Sequence, residues 1–364
     1  MRLAFVMGRL RGGGAERVTA SLINELSKDG HEIHLISYES DERTDYPISK
    51  ETIVHTMESV SSSRLGLILS KIKYFRNTIM ALKPDCVICL DGAKVKVVLT
   101  IAVFGKLCPL ILAERNDPAR EPKGAVVRFL RLVCYHICDG VVFQTEGARD
   151  FFSERISKKS AVIQNPLSQH LPEPYNGPKS KRIVNFCRLI PQKNLPLLID
   201  AFSDIANEFP DYCLEIFGEG PLRNSLQEHI NGLEMDNRVF LRAFANPIYP
   251  QICDASLFVS SSDYEGISNS MLEAMAMGIP SVCTDCPPGG ARETIQDSVN
   301  GLLVPIGDRR ALGQAIRRML ADSNFAERLG RESIEIRNRL APHKISEQWL
   351  MYAEQIVTCS RKGY

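Results

Sequence analysis

The strongest constraint on the fold is a pattern that runs twice. Short apolar segments alternate with amphipathic stretches, pause at "NPLSQHLPEPYNGPKSKR", and resume. Before the pause, "RLAFVMG", "HEIHLISYE", "DCVICL", "PLILAE" and "GVVFQT" read as strands. "AERVTASLINELSKDG" reads as a helix ending at Gly30, and "RLGLILSKIKYFRNTIMALK" as a helix stopped by Pro84. Such alternation argues for right-handed βαβ units and a parallel sheet covered on both faces. The pause holds four prolines and little apolar material, as a linker does. After it come "IVNFCRL", "YCLEIFGEG", "RVFLRAF", "ASLFVSS", "PSVCTD" and "GLLVPI", interleaved with helical stretches. A chain of 364 residues exceeds what one core usually serves. The expectation is an α/β chain of two Rossmann-like domains. Residues 1–168 form the first, 169–181 a linker and 182–342 the second, and a helix over 343–364 crosses back to the first. Ligands of such sheets bind beyond the carboxyl ends of the strands, in a central cleft between the domains.

Composition removes several classes. Net charge is +1, and neither an aromatic-studded basic RNA motif nor zinc-finger spacing is present, so a nucleic-acid partner is not expected. The start, "MRLAFVMGRLRGGG", does not read as a signal peptide, and no window is apolar enough to span a bilayer. Eleven cysteines then point to a reducing cytoplasm. The pairs Cys86/Cys89 and Cys283/Cys286 lack further metal ligands nearby and read as buried small hydrophobes.

The loops after strands carry the candidate chemistry. "GRLRGGGAER" places Gly12, Gly13 and Gly14 before a helix, where backbone N–H groups suit a phosphate or sugar. A tight turn is the alternative. The dinucleotide fingerprint fails, because its third glycine would fall on Arg17, and Glu39 alone is a weak ribose ligand. In "NFCRLIPQKNLPLLIDAF", Arg188 follows a strand and Lys193 precedes a helix, with Asn194 as N-cap and Pro196 in the first turn. Two cations there suit a diphosphate, or are solvated loop charges. "IFGEGPLR" offers Gly218 and Gly220 for backbone contact with a base or ribose. In "EGISNSMLEAM", Ser270 and Glu273 fit a capping box. Glu265 has no such explanation. The N–H groups of Gly266, Ile267 and Ser268 beside it, at a helix start, form a ready anion site.

"GGGAER", "RLIPQKNLPLLIDAF", "FGEGPLR", "EGISNSMLEAMAMGIPSV" and "NGLLVP", in this order, resemble the retaining nucleotide-sugar glycosyltransferases of family 4, with the GT-B fold. The resemblance covers nearly the whole chain and is strongest over 183–306. It implies that Arg188 and Lys193 bind the donor diphosphate and stabilise it as leaving group. It implies that Glu265 hydrogen-bonds the donor sugar, that the N–H groups after it hold sugar and phosphate, and that Glu273 grips the ribose. Gly13 and Gly14 would lie against donor phosphates and acceptor. No metal or cofactor is implied. The donor would be a UDP-sugar, carrying a hexose or N-acetylhexosamine. Many relatives carry a histidine after a middle strand of the first domain. Here that loop reads "ILAERNDPAR", so Arg115, flanked by Glu114 and Asn116, stands in its place, and all three become contacts to acceptor or donor sugar. His34 and His136 lie elsewhere.

"GGGAER" with "ERNDP" is most similar to transferases that extend polyprenyl-diphosphate-linked glycans for bacterial O-antigen, capsule or protein glycosylation. The expected acceptor is a lipid-linked glycan and the expected location cytoplasmic, at the inner face of the membrane. Helix 64–83 carries Arg64, Lys71, Lys73, Arg76 and Lys83, and the stretch 123–138 carries Lys123, Arg128 and Arg131. Basic amphipathic helices suit peripheral membrane contact, although ordinary packing on the sheet explains them as well. A sugar-nucleotide epimerase of the same architecture and a non-catalytic nucleotide-sugar-binding protein stay open as alternatives.

Overall fold

A computed structural model describes residues 1–39, 44–58, 63–105, 107–245 and 247–361. The chain divides into two compact units. Unit 1 comprises Met1–Pro166 and Ala341–Tyr364, and unit 2 comprises Leu167–Leu340.

The sheet of unit 1 contains β1 (Arg2–Met7), β2 (Glu32–Ser37), β3 (Ile53–Thr56), β4 (Cys86–Cys89), β5 (Leu110–Ala113), β6 (Gly140–Phe143) and β7 (Ser160–Val162). Among the described residues all pairings are parallel, in the order β3-β2-β1-β4-β5-β6-β7. The central strands are buried on both faces, which is why "CVIC" and "LILA" read as unbroken apolar runs rather than alternating ones. Helix Gly14–Lys28 turns Val18, Leu22, Ile23 and Leu26 inward, and Gly30, at φ 79°, lets the chain leave it.

The last helix, Pro342–Arg361, buries Trp349, Ala353, Ile356 and Val357 in unit 1. Tyr352 Oη accepts the Val141 amide at 2.9 Å and donates to the Lys159 carbonyl. A Cβ on residue 140 would come within 2.6 Å of that hydroxyl, so β6 begins with glycine.

In helices Arg64–Leu82 and Ala125–Ile137 some of the basic residues are taken up by contacts within the protein. Arg131 is 2% exposed and turned inward. Arg76 bonds the carbonyls of Ala102 and Phe104, and the Lys71 ammonium lies 4.1 Å from the centre of the Tyr38 ring. Among the described residues, no helix is long and apolar enough to cross a membrane.

Unit 2 contains β8 (Ser180–Phe186), β9 (Cys213–Phe217), β10 (Val239–Arg242), β11 (Ala255–Ser260), β12 (Ser281–Thr284) and β13 (Leu302–Val304). The order is β10-β9-β8-β11-β12-β13, again parallel throughout. Its core joins Ile183, Leu214, Leu257 and Val282 of the strands to Leu198, Phe202, Leu312 and Ile316 of the helices. Each such side chain contributes about 1.5–3 kcal/mol on burial.

Candidate active site

In unit 2 the chain builds outward from β8 through β9 to β10, then returns to place β11 on the other side of β8. The carboxyl ends of β8 and β11 therefore flank the point where strand order reverses, the usual ligand crevice of an open parallel sheet. Arg188 and Lys193 follow β8, and Glu265 follows β11.

These two loops are tied together atom by atom. Lys193 Nζ donates to Glu265 Oε2 at 2.6 Å, and Gln192 Nε2 donates to the same oxygen at 3.0 Å and to the Tyr264 carbonyl at 2.9 Å. Ser261 Oγ donates to the Lys193 carbonyl at 2.9 Å, and the Asp263 amide to the Gln192 carbonyl at 2.9 Å. Burial alone would lower the Lys193 pKa, but the Glu265 carboxylate outweighs it and the net shift is upward. The ammonium thus stays charged through neutral pH. Arg188 is exposed, and among the described residues its guanidinium makes no ion pair or hydrogen bond.

Asn194 does not cap helix Leu195–Ile205 with its side chain, as expected from sequence. It sits at φ 42°, and its amide donates instead to Asp263 Oδ1 at 2.7 Å, adding another tie between the loops. The capping box at Ser270 is likewise corrected. Ser268 is the N-cap of helix Asn269–Ala276, its Oγ accepting the Met271 amide at 3.3 Å. Ser270 Oγ donates to the Phe186 carbonyl at the end of β8. Glu273 is consequently past the first turn and buried, so capping does not explain it.

The glycines of "FGEG" have a packing requirement of their own. A Cβ on Gly218 would lie 1.9 Å from the Cys187 carbonyl oxygen, and one on Gly220 would lie 2.3 Å from that of Leu189. A Cβ on Gly290 would likewise lie 1.8 Å from the Gly266 carbonyl oxygen. Cys187 and Cys286 adjoin the Lys193–Glu265 pair, and burial pushes both thiols up to about 12, which keeps them protonated.

In unit 1 the order reverses between β1 and β4. After β1, Gly12 adopts φ 69°, Gly13 precedes helix Gly14–Lys28 without a side-chain cap, and the Glu16 carboxylate folds over Gly13. After β4 stands Asp91, which sequence reasoning missed. Its Oδ2 accepts the Gly8 amide at 3.0 Å and the Tyr38 hydroxyl at 2.5 Å, and its Oδ1 accepts the Gly92 amide at 2.6 Å. A Cβ on residue 8 would meet Tyr38 Oη at 2.8 Å, so a larger residue there would push the tyrosine aside. The available signal was its position one residue past "CVICL", at the end of a central strand.

The loop after β5 separates its three candidates. Glu114 is buried, and its Oε2 accepts from Tyr135 Oη at 2.9 Å and Arg131 Nη1 at 3.3 Å. Arg115 Nη2 donates to Asn165 Oδ1 at 2.7 Å. Burial pulls the Arg115 pKa down to about 10, against the opposing pull of Glu16, so it remains a cation at neutral pH. Asn116 Oδ1 accepts the Asp117 amide at 2.9 Å. His34 is buried beside Glu32 and His55 in the outer part of the sheet, and His136 is an exposed helix residue. Glu39 pairs with Arg9 at 3.5 Å.

Two parallel sheets of this order, each with loops at its reversal point, define the GT-B class. Solved structures agree. Sucrose-phosphate synthase from Thermosynechococcus elongatus superposes with a TM-score of 0.85 at 18% identity, covering 98% of this chain and 99% of that one. Anabaena HepE in complex with UDP and glucose gives 0.81 at 20% identity, with 96% and 98% covered. The family model "Glycosyltransferase Family 4" matches residues 12–169 and "Glycosyl transferases group 1" matches 180–322. The chain belongs to these glycosyltransferases. A similar curated protein is the Campylobacter jejuni GalNAc-alpha-(1→4)-GalNAc-alpha-(1→3)-diNAcBac-PP-undecaprenol alpha-1,4-N-acetyl-D-galactosaminyltransferase, 27% identical over 98% of this chain and 99% of that protein.

Proposed function

We propose that this glycosyltransferase moves a hexose or N-acetylhexosamine from a UDP-sugar to a lipid-linked glycan, with retention of anomeric configuration and without a metal. The observation that carries this is the Lys193–Glu265 contact at the β8/β11 reversal point, with the exposed Arg188 guanidinium on the same loop as Lys193. The UDP complex of a structural neighbour and the undecaprenol-linked substrate in a relative's name support the donor and acceptor classes.

On this reading Arg188 and Lys193 neutralise the donor diphosphate. As the bond from the sugar C1 to the diphosphate oxygen breaks, negative charge builds on UDP, and two fixed cations lower that cost. They do the work a divalent ion does elsewhere. The acceptor hydroxyl attacks C1 from the face the phosphate leaves, and its proton passes to the departing phosphate, so configuration is retained. Glu265, held by Lys193 and Gln192, accepts hydrogen bonds from donor-sugar hydroxyls. The amides of Gly266, Ile267 and Ser268 serve sugar and phosphate, and Glu273 takes the ribose. Gly13 and Gly14 approach the donor phosphates, and Gly218 shapes the nucleotide loop. In unit 1, Arg115, Asn116 and Asp91 contact the sugars, with Asp91 receiving an acceptor hydroxyl.

We place the enzyme in the cytoplasm at the inner membrane face, where a lipid-linked acceptor would be met. The epimerase alternative finds no support among these relatives. The testing experiment incubates the chain with UDP-sugars and lipid-diphosphate glycans. Transfer requires UDP release that depends on added acceptor; sugar interconversion without transfer, or binding without turnover, would overturn the reading.

A further inference from the structure

Unit 2 places charge on a sheet face that is ordinarily apolar in a parallel sheet. Along β9, Leu214 and Ile216 point into the core, and Glu215 points the other way while only 5% exposed. The neighbouring strands β8 and β10 supply Arg182 and Arg242. Arg182 Nη1 donates to Glu215 Oε2 at 2.7 Å and its Nη2 to Asp254 Oδ1, so the two carboxylates stand one guanidinium apart. Arg242 Nε and Nη2 both donate to Glu215 Oε1, at 2.9 and 2.6 Å. Ion pairs in such a place add little stability over apolar packing, and a break in the local pattern of this kind marks a functional position.

The network lines an open cavity of about 470 Å³, to which Tyr175, Phe217 and Gln251 also contribute. Ligand sites span about 300–1,000 Å³. The two cations and two carboxylates of the lining cancel. Hydrogen-bonding capacity is left over. Among the described residues, Arg242 Nη1, Asp254 Oδ2, the Gln251 side-chain amide and Tyr175 Oη make no hydrogen bond. The Tyr175 ring folds over Gly177, where a Cβ would lie 2.3 Å from Oη, and Lys179 Nζ lies 5.4 Å from the ring centre. The ring is thus held in place before a ligand arrives. None of the lining residues belongs to the loops around Lys193 and Glu265.

We propose that this cavity is a second glycan-binding site, separate from the donor crevice, which takes an uncharged hexose or N-acetylhexosamine unit of an oligosaccharide. A pyranose has an apolar C–H face and a rim of hydroxyls, each both donor and acceptor. The C–H face lies on the Tyr175 ring. Hydroxyls donate to Asp254 Oδ2 and accept from Arg242 Nη1, and the Gln251 amide serves either role. The neutral balance of the lining selects this class of ligand. A phosphate or carboxylate would meet Glu215 and Asp254 together with the arginines, and like charges brought together cost affinity. A glycan held here stays with the enzyme between turnovers at raised local concentration. That consequence rests on the glycan-transfer reading; the binding itself does not.

The test is calorimetry and saturation-transfer NMR of the full chain, kept saturated with UDP, against maltotriose, chitotriose and an N-acetylgalactosamine trisaccharide. Inorganic phosphate and a tetra-alanine peptide serve as controls. At least one saccharide is expected to bind, with a Kd of about 1 mM. Tyr175→Ala is expected to weaken that binding about tenfold, and Gln251→Ala about three- to tenfold. Tyr175→Phe keeps the ring and is expected to retain most of the affinity. Melting temperature, UDP affinity and transfer to a lipid diphosphate carrying a single sugar are expected to be unchanged in Tyr175→Ala. No binding by any of the three saccharides, binding that survives Tyr175→Ala unchanged, or tighter binding of phosphate or the peptide would each overturn the site. Saccharide binding without any transfer would leave the site standing and contradict the transfer reading alone. Transfer without saccharide binding at this cavity would overturn the site alone.

Discussion

Lys193 Nζ and Glu265 Oε2, 72 residues apart in sequence, meet at 2.6 Å where the strand order of unit 2 reverses. The contact keeps a cation charged and a carboxylate aimed, both beside the exposed Arg188.

Removing either cation should slow transfer. Lys193→Ala and Arg188→Ala are each expected to lower kcat by about 10²–10³, equivalent to about 2.7–4 kcal/mol of transition-state stabilisation. Steady-state UDP release measures both. The pair also sets a pH window. A lysine whose folded pKa lies above its unfolded value of about 10.4 contributes stability that is complete below that pH and lost only above it. Melting temperature should therefore show no alkaline decline from this pair between pH 7 and 9.

Glu265 is best tested by Glu265→Gln. The alanine variant would leave the largely buried Lys193 ammonium without its carboxylate, at a cost of about 1–3 kcal/mol that mixes stability with chemistry. Glutamine keeps the shape and one acceptor oxygen. Transfer is expected to drop at least about tenfold while the melting temperature changes little. Near-normal turnover in both variants would remove the role assigned to the stretch "EGISNS".

The loops that follow strands were legible from the strand pattern, and the residues in them only partly so. Arg188, Lys193 and Glu265 stood out because each lies in the loop between an apolar strand and the next helix. The bond between Lys193 and Glu265 was not legible, since nothing local couples loops so far apart. Glu273 was misread because "SMLE" satisfies the capping pattern while the backbone starts the helix at Ser268. β3 and β7 were missed as short segments with few apolar residues, and Ile53 and Val54 of β3 are exposed. Helix Ala93–Ala102 was missed and Arg131 misplaced for one reason. Lys96 and Arg131 point inward to Tyr135 and Glu114, which inverts the apolar periodicity that normally reveals a helix face.

Asp91 tests the unit 1 loops. Asp91→Asn is expected to lower transfer to a lipid-diphosphate glycan about 10- to 100-fold, the range of a lost charged hydrogen bond, with a raised acceptor KM. Acceptor-independent hydrolysis of the donor should stay within about twofold. Tyr38→Phe, which removes only the hydroxyl that orients Asp91, is expected to give a smaller loss in the same parameter.

The carboxyl-terminal helix is structural. Trp349 is 1% exposed, so Trp349→Ala is expected to destabilise unit 1 by about 3–5 kcal/mol. Differential melting with and without UDP checks this. The ligand-stabilised transition should persist while the other moves down.

The most direct measurement of the central claim is mass spectrometry of the product from a panel of UDP-sugars and lipid-diphosphate glycans, run with a metal chelator present. The expected result is an acceptor heavier by one sugar residue, an equal amount of UDP, a linkage with the donor's anomeric configuration, and loss of all three in Lys193→Ala. A donor converted to its epimer with no gain on the acceptor, or transfer that stops when the chelator is added, would contradict the account.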